Sequence, residues 1–132
     1  MSEHKWRAGI AIVEDEKDLV RVYTRVLARL GIPVSFVAYD GYEAILTFVS
    51  CAPKPHIILM DYRLPTMNGI ETTRKILEID QDAKIIFFSA DISVKNDAIN
   101  AGAFAFIKKP ASIKELTDTI NNVIKTYPTL PF

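Results

Sequence analysis

Residues 57–69 read Ile57-Ile58-Leu59-Met60-Asp61-Tyr62-Arg63-Leu64-Pro65-Thr66-Met67-Asn68-Gly69: four apolar residues without a break, then a carboxylate, then a stretch rich in turn formers. A strand with one wet face alternates apolar and polar residues, whereas a strand without alternation is covered on both faces. The run therefore predicts a strand inside a parallel sheet with helices on either side. The abrupt switch at Asp61 places a carboxylate at that strand's carboxyl end.

Outward from this segment, short runs rich in Val, Ile and Phe recur at Ile10–Val13, Val34–Ala38, Ile85–Phe88 and Ala105–Ile107. Strands two, three and four read as apolar throughout and so as covered on both faces. Between the runs the period changes to 3.6. A first helix over Lys17 to Leu30 sets Leu19, Tyr23, Val26, Leu27 and Leu30 on one face, and Gly31 with Pro33 ends it. A last helix over Ile113 to Lys125 does the same with Ile113, Leu116, Ile120, Val123 and Ile124. Asp40 with Glu43, and Ser112 with Glu115, have the capping-box spacing that starts a helix; the first of these helices runs through Phe48. Asn68-Gly69 marks a turn before a helix through about Ile79, and a shorter helix from Val94 to Ala101 stops at Gly102. Five strands alternating with five helices predict an α/β fold with a doubly wound, five-stranded parallel sheet.

Composition narrows the function. The 132 residues carry 16 Lys+Arg against 16 Asp+Glu, with 49% hydrophobic residues, which fits one globular domain and argues against disorder. The balance leaves no basic footprint for nucleic acid, and no apolar run approaches the roughly 18 residues of a membrane span. Cys51 is the lone cysteine, so no intramolecular disulfide or zinc cluster is available, and Met1–Gly9 is no secretory signal. A cytoplasmic protein without its own DNA-binding output domain is expected.

In a doubly wound sheet, functional groups gather at the carboxyl ends of the strands. Here those ends are Glu14-Asp15, Asp61, Ser89-Ala90 and Lys108-Lys109-Pro110. Three carboxylates, a hydroxyl and a lysine converge on one edge. An all-oxygen acidic set suits Mg²⁺ rather than zinc.

The segments Ile12-Val13-Glu14-Asp15-Glu16, Met60–Gly69, Phe87-Phe88-Ser89-Ala90, Gly102-Ala103 and Phe106-Ile107-Lys108-Lys109-Pro110 resemble the receiver domain of two-component response regulators, over about residues 8 to 125. The resemblance implies a (βα)5 flavodoxin-like, CheY-like fold with strand order 2-1-3-4-5, a receiver domain over 8–126, and short tails at 1–7 and 127–132. It makes Asp61 the phosphorylation site. Asp15 would ligate Mg²⁺ directly and Glu14 through a water, with Asp61 and the main-chain carbonyl of Arg63 completing the metal set. Ser89 would contact the phosphoryl oxygens, Lys109 would pair with one of them, and Lys109-Pro110 would be cis. Phe106 matches the family's aromatic switch position and would turn inward when Ser89 moves.

The implied function is a phosphorylation-dependent signalling switch and not an enzyme, since it catalyses only its own phosphorylation and dephosphorylation. The implied partners are a histidine kinase or phosphotransfer protein, met beside the first helix where Lys17, Arg21, Arg25 and Arg29 recur, and a downstream effector that the sequence does not name. The output face is formed by the fourth helix, fifth strand and fifth helix, with Lys95, Asp97, Lys108 and Asp118; its mixed charge is compatible with homodimer formation. Arg63 and Asp91 are expected to approach across the mouth of the site and slow hydrolysis. His56, five residues before Asp61, lies roughly 16 Å away at strand rise and is no ligand. The alternative is a phosphate-independent pseudo-receiver, which would usually lack one of Asp61, Asp15 and Lys109; all three are present. A haloacid-dehalogenase-type phosphohydrolase needs a second aspartate where Arg63 stands.

Overall fold

Strands β1 (Ile10–Val13), β2 (Val34–Ala38), β3 (Ile57–Asp61), β4 (Lys84–Ser89) and β5 (Ala105–Lys108) pair in parallel in the order β2-β1-β3-β4-β5. This is the order that the resemblance implies, and the sheet is seen in a computed structural model that describes residues 9–127. The tail expected over 1–7, and all of the 127–132 tail except Tyr127, lie outside the described residues. Helices α1 (Lys17–Arg29), α2 (Gly41–Ser50), α3 (Gly69–Ile79) and α4 (Lys95–Asn100) link the strands, α5 (Ile113–Ile124) follows β5, and a 3-10 turn, Ile92–Val94, leads into α4.

Successive strand residues point to opposite faces, and each face has its own core. On one side Ile10, Ile12, Leu59 and Phe88 meet Tyr23 and Leu27 of α1 and Leu116 and Ile120 of α5. On the other, Ala11, Val13, Met60 and Phe87 meet Phe48 of α2, Ile76 of α3 and Ala98 of α4. Every residue of β3 is buried, as its unbroken apolar run predicts, and so is every residue of β1.

Four details depart from the sequence reading. Val34–Val37 are only half-buried although β2 reads as doubly covered, because β2 is an edge strand paired with β1 alone. Ile113 is 55% exposed although its spacing assigns it to the inner face of α5; as the first residue of the helix it precedes the part that rests on the sheet. The fourth helix begins as a 3-10 turn and ends at Asn100, before Gly102 with φ 111. Tyr127, expected in the tail, packs on the core beside α5, and its hydroxyl donates to the His56 carbonyl at 3.3 Å.

The helix starts follow their caps. Asp40 accepts from Glu43 N at 2.7 Å, and Ser112 from Glu115 N at 3.0 Å. Glu43 returns its carboxylate to Tyr39 N at 2.6 Å, one residue earlier than a standard capping box. Asn68, read only as a turn residue, caps α3 through Glu71 N at 3.0 Å.

The loop from Asp61 to α3 is held from two sides. A Cβ at Gly69 would lie 2.1 Å from the Asp61 carbonyl oxygen, so only glycine lets α3 begin against the end of β3. From the other side, Gly41 N donates to Pro65 O, Tyr42 N donates to Thr66 Oγ1 at 3.1 Å, and that hydroxyl donates to Asp40 Oδ1 at 3.1 Å. These bonds keep Thr66 at φ 66, a conformation that is costly for a β-branched residue.

Candidate functional site

The sheet topology alone brings the acidic residues together. In the parallel register Val13 lies opposite Met60, so the next residues, Glu14 and Asp61, leave β1 and β3 side by side. Ser89 ends β4 and lies opposite Lys108, so Lys109 emerges just beyond it. Ligand oxygens of Glu14, Asp15 and Asp61 all lie within 4.8 Å of one another. Asp15, Asp61, Arg63, Ser89 and Lys109 line one cleft of about 290 Å³ together with Glu16, Tyr62 and Ala90.

Lys109 organises the cluster. Its Nζ lies 2.6 Å from Asp61 Oδ1 and 2.8 Å from Glu14 Oε1, and the second Glu14 oxygen accepts from Glu16 N at 3.1 Å. Glu14, Asp61 and Ser89 are buried, whereas Asp15 is exposed at the rim. Burial pushes the Glu14 carboxyl up to about 7 against the opposing bond from Lys109, and the nearby Asp61 adds to the rise. Asp61 is raised too, first by burial and then by Asp15, with Lys109 opposing. Burial works against the Lys109 charge, but its bonds to Asp61 and Glu14 outweigh that and hold the ammonium above the ordinary lysine range.

Three carboxylates thus face one lysine, and two of them hold raised affinities for a proton. Crowded carboxylates whose negative charge is under-compensated fit a hard divalent cation with oxygen ligands. Asp15 and Asp61 border the cleft where such a cation would sit, while both Glu14 oxygens are occupied by Lys109 and Glu16 N.

The remaining sequence-predicted residues take more varied places. Ser89 accepts from Asp91 N at 3.0 Å, and Lys109 N donates to the Ser89 carbonyl at 3.0 Å. Lys109-Pro110 is cis. Phe106 is half-buried, away from the cleft, and stacks on Phe87 at 6.1 Å and 17°. Arg63 and Asp91 form no ion pair among the described residues, although the Arg63 charge is near enough to act on the Asp91 carboxyl. The Asp91 carboxylate accepts from Ser93 Oγ at 2.6 Å and Ser93 N at 3.0 Å, which caps the 3-10 turn and holds the carboxyl below the usual carboxylate pKa range, with the Arg63 charge acting in the same direction. A short-range cap is cheaper to satisfy than a pair spanning the open cleft.

Two features escaped the sequence reading. One is the direct Glu14–Lys109 bond. The other is an apolar groove of about 350 Å³ beside the cleft, formed by Leu19, Val22, Tyr23, Pro110, Ile113 and Leu116 and bordered by Lys109. The misplaced Ile113 is its signal, because a large apolar residue at the very start of a helix is free to overhang a neighbour. The groove continues past Val22 to Arg25 and Arg29. The other members of the basic row are also exposed, with Arg21 paired to Asp18 and Lys17 lying 5.9 Å over the Tyr39 ring.

A doubly wound 2-1-3-4-5 sheet with this strand-end cluster defines a class, and the family model described as the response regulator receiver domain matches residues 10–121. The chain belongs to that family. Among relatives, it is 34% identical to the chemotaxis protein CheY of Thermotoga maritima over 118 residues, covering 88% of this chain and 97% of that protein. Among solved structures, it is similar to the CheX-CheY-BeF3-Mg complex of Borrelia burgdorferi (TM-score 0.80, 27% identity, 91% and 89% of the two chains). It is likewise similar to the receiver domain of the sensor histidine kinase PA1611 of Pseudomonas aeruginosa, solved with magnesium in its active-site cleft (TM-score 0.77, 28% identity, 88% and 96%).

Proposed function

We propose that this chain is a phosphorylation-dependent signalling switch in which Asp61 accepts a phosphoryl group from a histidine kinase or phosphotransfer protein. One observation carries the reading: Asp61 is a buried carboxylate at the floor of a cleft, with a cation-ready acidic neighbour in Asp15 and a lysine 2.6 Å from its oxygen. In the transfer, an Asp61 oxygen bonds to phosphorus as the bond from phosphorus to the donor's imidazole nitrogen breaks, and the electron pair leaves on that nitrogen. Catalysis is then positioning and charge neutralisation. Asp15, Asp61 and the Arg63 carbonyl would hold Mg²⁺, with Glu14 acting behind them. The bound metal supplies positive charge to the phosphoryl oxygens. Lys109 exchanges its bond to Asp61 for one to a phosphoryl oxygen, and the Ser89 hydroxyl turns to another.

The chain promotes only its own phosphorylation and dephosphorylation, acting in the cytoplasm. No helix among the described residues is long and apolar enough to cross a membrane. The apolar groove and its basic border suit a donor helix that carries acidic residues, and sharing Lys109 with the groove puts such a helix's histidine within reach of Asp61. Release of Ser89 from Asp91 N would free the 3-10 turn before α4, and Phe106 would follow, altering the α4-β5-α5 surface. Incubation with Mg²⁺ and acetyl phosphate, read by intact mass, tests the proposal. Wild type should gain one phosphoryl mass and Asp61→Asn none; an unmodified wild type, or an adduct on the variant, would overturn it.

A further inference from the structure

The β3–α3 loop and the first turn of α2 satisfy each other's hydrogen bonds. A helix leaves its first N–H groups without partners inside the helix. In α2 the loop takes two of them: Gly41 N donates to Pro65 O at 3.2 Å and Tyr42 N to Thr66 Oγ1 at 3.1 Å. Asp40 Oδ1 takes the third, from Glu43 N, and accepts from the Thr66 hydroxyl as well. Thr66 thus uses its hydroxyl as donor and acceptor at once. The two segments meet closely, since a Cβ at Gly41 would lie 2.3 Å from the Met67 carbonyl oxygen. On its other flank the loop is fixed at Tyr62, whose N–H donates to Phe88 O and whose carbonyl accepts from Gly69 N at 2.8 Å. Arg63 and Leu64 lie between that anchor and Pro65. The Arg63 carbonyl accepts no hydrogen bond from the chain among the described residues, so the anchors on either side set its direction.

We propose that Thr66 is a positioning residue for the metal site: its clasp on Asp40 and Tyr42 holds Pro65, and through Pro65 aims the Arg63 carbonyl at the cation. The proposal rests on the reading of that carbonyl as a Mg²⁺ ligand. Thr66 does not line the cleft and acts only through the loop. At φ 66 its backbone is unfavourable for a β-branched residue, so the loop leaves this shape once the two hydroxyl bonds are lost. Mg²⁺ demands near-ideal octahedral geometry and tolerates a displaced ligand poorly. Its apparent affinity falls with the fraction of molecules that keep the competent loop. The coupling is reciprocal, so bound Mg²⁺ tightens the clasp by the same factor.

Calorimetric titration of the full chain with Mg²⁺ is the first test. Thr66→Val should bind about tenfold more weakly than wild type, and Thr66→Ser, which keeps the hydroxyl, within about twofold of it. The second test needs no variant. Amide hydrogen exchange of wild type, read by NMR, should slow about tenfold at Gly41 and Tyr42 when Mg²⁺ is added. Exchange at Cys51 N, which donates to Thr47 O at the far end of α2, should not change. A threonine that only stabilised the fold would move neither readout. Equal Mg²⁺ affinity in wild type and Thr66→Val, a serine variant as weak as the valine one, or exchange at Gly41 and Tyr42 that ignores Mg²⁺ would overturn the proposal alone. A wild type that takes up no Mg²⁺ would overturn the reading of the carbonyl as a ligand, and the proposal with it.

Discussion

Replacing Glu14 by glutamine should make the metal-free protein more stable at neutral and alkaline pH, although the residue belongs to the functional cluster. Glutamine keeps the shape and removes the charge, but its one carbonyl oxygen can accept from Lys109 only at the expense of the bond from Glu16 N, which then faces the amide NH2. That charge is held in a site where burial raises the carboxyl from 4.5 to about 7. An acid that is more protonated folded than unfolded costs stability as pH rises through that window. The penalty is absent below about pH 4.5, builds up to about pH 7 and is level above it; at pH 8 it amounts to about 3 kcal/mol. The weaker bond from Lys109 to a neutral amide and the lost bond from Glu16 N together offset part of this gain, by about 2 kcal/mol. Urea denaturation in chelator-containing buffer at pH 5, 6, 7 and 8 reads the difference directly. Glu14→Gln should exceed wild type by about 1 kcal/mol at pH 8, and that difference should fall steadily and change sign toward pH 5. A glutamine variant that is less stable at pH 8, or a difference that ignores pH, would refute the reasoning that burial governs this carboxylate.

Three other outcomes follow from the same geometry. Lys109→Met leaves Glu14 and Asp61 buried without their cation and should cost about 3–5 kcal/mol at pH 8, less on acidification, by urea denaturation. Mg²⁺ must displace the proton that Glu14 holds up to about 7, so its affinity by calorimetric titration should rise about tenfold between pH 6 and pH 8. Reversing charge along the groove with Arg25→Glu/Arg29→Glu should slow phosphoryl transfer from a phosphotransfer protein by about tenfold or more while leaving the rate with acetyl phosphate unchanged, as measured by rapid-quench kinetics.

The legible part of this molecule was the part that topology dictates. An unbroken apolar run ending on Asp61 implies a buried parallel strand, and a doubly wound sheet then puts Glu14, Asp15, Asp61, Ser89 and Lys109 on one edge whatever the side chains do next. What stayed hidden depends on contacts between segments distant in the chain. Glu14 and Lys109 leave strands separated by β3 and β4, and their bond spans 95 positions with no local pattern to announce it. The clasp of Thr66 on Asp40 and Tyr42 is equally non-local. Apolar content could not distinguish β2 from β3, because edge position is a property of strand order and not of the strand's own residues. Arg63 and Asp91 show the converse: opposite charges at suggestive positions do not pair when Ser93 offers one of them nearer donors.

The most direct test is to find where the phosphoryl group goes. After incubation with Mg²⁺ and acetyl phosphate, borohydride reduces an acyl phosphate to an alcohol, so the modified aspartate reads as homoserine in a tandem mass spectrum. The mark should fall on Asp61, in the peptide that contains Ile57-Ile58-Leu59-Met60-Asp61, and be lost when Mg²⁺ is withheld. A mark on Glu14 or Asp15, or none on Asp61 with the donor in excess, would contradict the assignment of this cleft as a phosphoryl-accepting site.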